Sequence, residues 1–285
     1  MLNINTNYAA SFAANAAKQS SSGLNSAMEK LASGSRINYS KDDAAGQAIS
    51  VRLSAEIQGV AIASRNAADA QSMIDTADGA LAETHSLLLR MRELAVQSAN
   101  GTLNNDDRDA LDAEYQQLEA EIDRIDSNTT FAGTSLFDGN AKSFQVGSGS
   151  GAGNSLSHTF ASMGSADILA DINHDGDDGT TAEQAADIKT TVAAQATITM
   201  LDDAIETVSE ERGKLGAVSN RLSSTISNLD QIGVNLSASK GRIADADFAA
   251  ETGNLAKNQI LQQAATAMLA QANASKGSIL TLIRN

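Results

Sequence analysis

Three histidines, His85, His158 and His174, and no cysteine are all that this 285-residue chain offers for imidazole or thiol chemistry. A thiolate nucleophile or a cysteine-held zinc is therefore impossible, and no disulfide framework exists. No His-Glu-x-x-His string is present, so helix-borne zinc hydrolysis has no ligands. Ser, His and Asp are not clustered, which leaves a nucleophilic triad without candidates. The glycine-rich GSGSGAGNS (147–155) lacks the lysine of a phosphate-cradling loop. The best site-like string is DINHDGDDGTTAE (171–183). Asp171, Asn173, Asp175 and Gly176 fit the first half of a calcium loop, but Ala182 stands where the loop wants an acid, and Glu183 is one residue late. The string reads first as a solvated acidic turn and only second as a calcium site. No cofactor or metal is expected, and the chain reads as a non-enzyme.

The elements around these residues are long and helical. Leu53, Val60, Ala67, Ile74, Leu81 and Leu88 recur every seventh residue, as do Leu201, Val208, Leu215, Leu222, Leu229 and Leu236. A sustained spacing of seven lays one face of a helix along a partner helix. Leu111, Tyr115, Leu118, Ile122 and Ile125 form a third stripe, and His85 falls within the first rod as a polar-face residue. There is no Pro and no Trp, and aromatics make up 3%, which suits close helix packing rather than an aromatic-rich enzyme core. Ser40 with Asp43 predicts a capping box before the first rod, and Asn100-Gly101 its end. Asn104 followed by Asp106, Asp107 and Asp109 predicts the next helix start. SNTTFAGTSLFDGN (127–140) predicts hairpins, 147–155 a loop, and 182–195 a short helix leading into the second rod.

Charge separates the ends from the middle. The formal charge is −15; residues 1–28 hold only Lys18, and residues 252–285 only Lys257, Lys276 and Arg284, which leaves −19 on residues 29–251. The acidic middle argues against nucleic acid, and no stretch reaches the ~20 apolar residues of a membrane span. The start, MLNINTNYAASFAANAAKQ, lacks a cationic leader, apolar block and cleavage site, so the chain either stays inside the cell or leaves by another route. Each end carries apolar residues among Ala, Asn and Ser: Leu2, Ile4, Tyr8, Phe12, Leu24, Met28 and Leu31, then Leu255, Ile260, Leu261, Met268, Leu269, Leu280 and Ile283. Neither end alone offsets its ordering entropy, so both are expected to be poorly ordered in the free monomer and helical once neighbours cover them.

These residues resemble the bacterial flagellins. SGSRINYSKDDAAGQAIS (33–50), RNAADAQSMIDTADGALAE (65–83) and RMRELAVQSANGT (90–102) carry the likeness at one end. LGAVSNRLSSTISNL (215–229), GRIADADFAAET (241–252) and NQILQQAATAMLAQAN (258–273) carry it at the other. It covers about 1–140 and 190–285 but not 141–189. The resemblance implies a mainly α fold, with long antiparallel coiled-coil-like rods from both termini and a small outer region containing β-hairpins. It implies an N-terminal inner-core helix and linker (1–42), N-terminal rod helices and hairpin (43–140) and a variable outer insertion (141–189). A C-terminal rod helix (190–238) and a C-terminal inner-core helix (239–285) complete the division. These rod heptads would pack the rods, and the apolar terminal residues the filament core. One departure is the absent Pro after LAQAN, where ASKGSILTLIRN leaves Gly277 as the expected bend.

The same resemblance implies a helical homopolymer secreted by a type III export apparatus, with an export chaperone, hook-associated proteins and cap protein as partners. It also implies an extracellular flagellum used for swimming. Arg90, Leu94, Gln97 and Glu114 match the surface that an animal Toll-like receptor recognises on many flagellins. A hook–filament junction protein and a cytoplasmic coiled-coil adaptor are the competing readings.

Overall fold

A computed structural model of the chain describes residues 6–168 and 187–284, without the side chains of Ala152 and 276–284. Leu2, Ile4, the calcium-like string 171–183 with His174, and the side chains of Leu280 and Ile283 lie outside the described residues. The elements are α1 (Tyr8–Ser33), α2 (Ala44–Ser98), α3 (Asn105–Asn128), β1 (Thr130–Phe131), β2 (Thr134–Ser135), β3 (Ala141–Gln145), β4 (Ser155–Thr159), α4 (Ser165–Ile168), α5 (Thr191–Ala244) and α6 (Phe248–Arg284). They form two compact units, one of Gln58–Gly233 and one of Met1–Ile57 with Val234–Asn285, and α2 and α5 contribute to both.

In the Gln58–Gly233 unit, α2 and α5 run antiparallel, and polar pairs record their register. Gln71 Nε2 donates to Ser219 Oγ at 2.6 Å; one heptad on along α2 and one back along α5, Arg212 Nε donates to Asp78 at 2.9 Å. Arg92 pairs with Asp202 at 2.5 Å further along. These ion pairs are 37–50% exposed, so each contributes at most about 1 kcal/mol. The energy lies in the stripe beneath them. Val60, Ala67, Ile74, Leu81 and Leu88 of α2 and Leu201, Val208, Leu215, Leu222 and Leu229 of α5 are all buried, each of the larger ones worth roughly 1.5–3 kcal/mol. Leu53 and Leu236, in the other unit, are half-buried.

Helix α3 adds the third stripe, with Tyr115 and Ile122 fully buried and Leu111, Leu118 and Ile125 half-buried. Its start is a reciprocal capping box, in which Asp107 N–H donates to Asn104 Oδ1 at 2.8 Å while Asn104 N–H donates back to Asp107. The Tyr115 hydroxyl has no hydrogen-bond partner among the described residues, and burial, reinforced by the charges of Glu119, Asp112 and Asp187, pushes the phenol far above its usual value. A polar node closes the end of α2. Arg108 donates to the carbonyls of Ser98 and Asn100, both at 3.0 Å, Ser98 Oγ donates to the Ile188 carbonyl, and buried Asp112 accepts the Ile188 N–H at 3.1 Å. This node fixes the backbone at 187–190, which is not helical; α5 begins at Thr191, so the helix expected over 182–195 is absent from 187–190. Thr190 Oγ1 accepts the Ala193 N–H there, and that competes with an earlier start.

Both hairpins lie in this unit. β1 and β2 are joined by Ala132 (φ 49°) and Gly133 (φ 81°), the left-handed pair that matches strand twist. β3 and β4 pair antiparallel with Lys142 opposite His158 and Phe144 opposite Leu156, and all four side chains face inward. Most of the glycine-rich stretch expected as a loop over 147–155 lies in the connection between these strands, 146–154, with Ser155 already in β4. Beyond them, Asp126 accepts the Met163 N–H at 2.8 Å and Asp123 the Ser165 N–H at 2.7 Å, which ties the segment before α4 to α3. Burial pushes the Asp126 and Glu119 carboxyls up.

Candidate assembly surface

In the Met1–Ile57 and Val234–Asn285 unit α1 packs against α6, so both ends are already helical in the single chain rather than poorly ordered as expected, because each covers part of the other. The buried positions of α1 are Ala13, Ser20 and Ala27, a heptad of small residues, and α6 presents Ala265 and Ala272 at the same interval. Small side chains let two helix backbones approach closely. Gly23 shows how closely, since a Cβ there would sit 2.9 Å from the Asn258 amide. Polar contacts fix the antiparallel register at each end: Asn7 Nδ2 donates to the Ala272 carbonyl at 3.1 Å, and Lys30 pairs with Glu251 at 3.3 Å.

The connection after α1 is also held. Gly34 ends the helix at φ 68°, in the left-handed cap conformation. Ser35 bridges Asp245, Arg36 N–H donates to the Ala244 carbonyl at 2.7 Å, and Ala246 N–H donates to the Gly34 carbonyl at 3.0 Å. Helix α2 is capped by Asp43, whose Oδ1 accepts the Gly46 N–H at 2.8 Å. The Ser40–Asp43 box therefore does not form as expected: Asp43 is itself the cap, directly before Ala44, and Ser40 lies a turn too early. At the other end, α6 continues as helix through Gly277 instead of bending there, since with no proline every backbone N–H can stay in the helical ladder.

What the α1–α6 seam leaves outside is the larger part of its apolar content. Tyr8 (71% exposed), Phe12 (78%) and Met28 (53%) project from α1, and Ile260 (66%), Leu261 (44%) and Met268 (64%) from α6. Leu24, Leu31, Leu255 and Leu269 are half-buried. Exposed large apolar side chains gathered on two paired helices make this face the candidate surface for contact with another protein. The signal for the seam was present in the sequence as alanines seven apart, but it is faint in a chain where Ala occurs almost everywhere.

Charge separates along the same division. Residues 58–233 hold 28 acidic and 10 basic side chains, a net of −18, whereas the other unit holds 7 acidic and 10 basic, a net of +3. The apolar surface thus carries little net charge to repel its own copies. Among the described residues no cluster of acidic or histidine side chains could hold a metal ion, and no helix is long and apolar enough to cross a membrane.

On α2, Arg90 donates to Glu114 of α3 at 2.7 Å and to Glu93 at 2.9 Å, and both it and Gln97 are exposed. Leu94 is not part of that surface. It is 1% exposed and packs in the core, so the matched receptor surface reduces to Arg90, Gln97 and Glu114.

Long paired helices with an uncovered apolar face define a subunit built for assembly. The family model for the bacterial flagellin N-terminal helical region matches residues 4–142, and that for the C-terminal helical region matches 198–283. The flagellin of Halalkalibacterium halodurans is 45% identical over 90% of this chain and 91% of its own length. That of Bacillus subtilis is 41% identical over 99% of this chain and 100% of its own. Among solved structures, Bacillus cereus flagellin is 34% identical and covers 58% of this chain and 88% of its own, with a TM-score of 0.47. The chain belongs to the bacterial flagellin family. It is a structural protein, a subunit of the flagellar filament, and not an enzyme.

Proposed function

We propose that the contacts between subunits in the filament core are made by the residues that α1 and α6 leave uncovered: Tyr8, Phe12, Leu24, Met28, Leu31, Leu255, Ile260, Leu261, Met268 and Leu269. Leu2, Ile4, Leu280 and Ile283 continue these two segments in sequence. The observation that carries this reading is the division of labour on the two helices, with small residues in the seam and large apolar ones outside. Each covered Leu, Ile or Phe contributes roughly 1.5–3 kcal/mol. A surface on one subunit then meets a different surface on the next, which generates an open helical polymer. The buried α2 and α5 heptads hold the rod that such a polymer stacks.

The polymer works outside the cell as the swimming propeller. It is delivered by type III export with a chaperone on the C-terminal segment, and the filament meets hook-associated and cap proteins. Deleting 1–30 is expected to abolish seeded filament growth seen by electron microscopy. Deleting 256–285 is expected to abolish both that growth and the chaperone complex seen by gel filtration. Normal growth by either truncated chain would sink the assembly reading, and a retained complex the chaperone reading.

The Arg90, Gln97 and Glu114 surface is proposed as a contact for an animal Toll-like receptor, with Leu94 supporting it from beneath. Arg90→Ala removes the guanidinium without touching the core, and monomer-induced receptor signalling is expected to fall about tenfold or more, as for an arginine hot spot. Unchanged signalling would remove the epitope from the account.

A further inference from the structure

The β3–β4 hairpin carries a titratable group that lies outside the surface proposed for assembly. His158 on β4 faces inward and is 10% exposed in its side chain. Its Nε2 is enclosed without a hydrogen-bond partner among the described residues, 3.6 Å from Glu211 Oε1 on α5. The ring meets Phe160 edge-on, with centroids 4.8 Å apart. Glu211 is itself buried, and its other oxygen already lies 3.3 Å from the Lys214 ammonium. Directly across the hairpin stands Lys142, whose ammonium lies 2.5 Å from Asp138. From α2, Asn66 donates to the Gln145 carbonyl, Asp69 and Asp75 are exposed, and Asp78 is taken by Arg212.

We propose that His158 is an acid-sensitive latch: its neutral imidazole lets the β3–β4 hairpin seat against α5, and its protonation unseats the hairpin. Glu211 already shares the Lys214 ammonium, which also lies 3.2 Å from Glu210, and the Lys142 ammonium across the strands is held by Asp138. A further positive charge there loses its hydration and gains only a shared partner. Burial accordingly holds the imidazole below its ordinary value, Lys214 adds to that, and Glu211 opposes it. The sign of the linkage follows. The unseated hairpin binds the proton more readily than the seated one, so seating is fully stable above about pH 6.5 and weakens as pH falls toward the seated value.

Hydrogen exchange of the β3 and β4 amides in the full-length monomer, corrected for intrinsic rates, reads the latch directly. Between about pH 7.5 and about pH 5, protection is expected to fall by up to roughly tenfold in the wild type and to stay level in His158→Gln. In Glu211→Gln the anion that favours the protonated ring is gone while His158 remains, so the acid loss should deepen. Protection that holds or rises in the wild type on acidification overturns the latch. So does an equal fall in His158→Gln or a shallower one in Glu211→Gln.

Discussion

Ile260→Asp and Phe12→Asp are each expected to leave the monomer folded and to stop it growing filaments from seeds. Both positions are largely exposed in the single chain, at 66% and 78%. A carboxylate there is solvated before assembly, and monomer melting should move little, as for ordinary surface substitutions. Once a neighbour covers the helix, the same carboxylate loses its water, at a cost of several kcal/mol. A penalty of about 3 kcal/mol already raises the critical concentration by a factor on the order of 100. The measurement is seeded growth by electron microscopy beside the circular dichroism of the same sample. Filaments of normal length from either folded variant would show that this face of α1 and α6 is not where subunits meet. A variant that melts early would instead place the residue in the monomer's own stability, against its observed exposure.

The rod was legible in the sequence because its buried positions are large and evenly spaced. Val60, Ala67, Ile74, Leu81 and Leu88 fall at intervals of seven, four of them large, and a spacing that regular marks a helix face. The α1–α6 seam was hidden by the opposite circumstance. Ala13, Ser20 and Ala27 also recur every seventh residue, but the larger Tyr8, Phe12 and Met28 nearby draw attention to the face that points away. Hydrophobic size thus pointed to the face proposed for contacts between subunits and passed over the contact inside the monomer. The β3–β4 hairpin was obscured because two of its inward positions are Lys142 and His158, which break the alternation that marks a half-buried strand. Leu94 illustrates a different failure. It was assigned to a surface by family likeness, although it lies one turn beyond buried Met91 and next to buried Ala95, on the core-facing stripe of α2. The polar node of Ser98, Arg108 and Asp112 had no sequence signal, since it depends on a chain segment, 187–190, far away in sequence.

Leu88→Ala and Leu89→Ala are expected to part by several kcal/mol although the two residues are neighbours in sequence. Leu88 has no exposed surface and lies in the core cluster with Met91 and Leu201, whereas Leu89 is 44% exposed on the same helix. A full helical turn takes 3.6 residues, so a step of one rotates the side chain by about 100° and carries it from the seam toward solvent. Truncating Leu88 removes buried methyl groups and leaves a cavity that long, straight helices cannot easily collapse around, a cost of about 2–5 kcal/mol. Truncating Leu89 should change monomer stability by less than about 0.5 kcal/mol. Urea unfolding of the monomer, followed at α-helical wavelengths, compares the two directly. Equal losses would mean that the seam and the outer face of α2 are not distinguished in solution, and the register read from Gln71–Ser219 and Asp78–Arg212 would fail with it. A large loss confined to Leu88 fixes which face of the rod belongs to the monomer, and so which face remains for its neighbours.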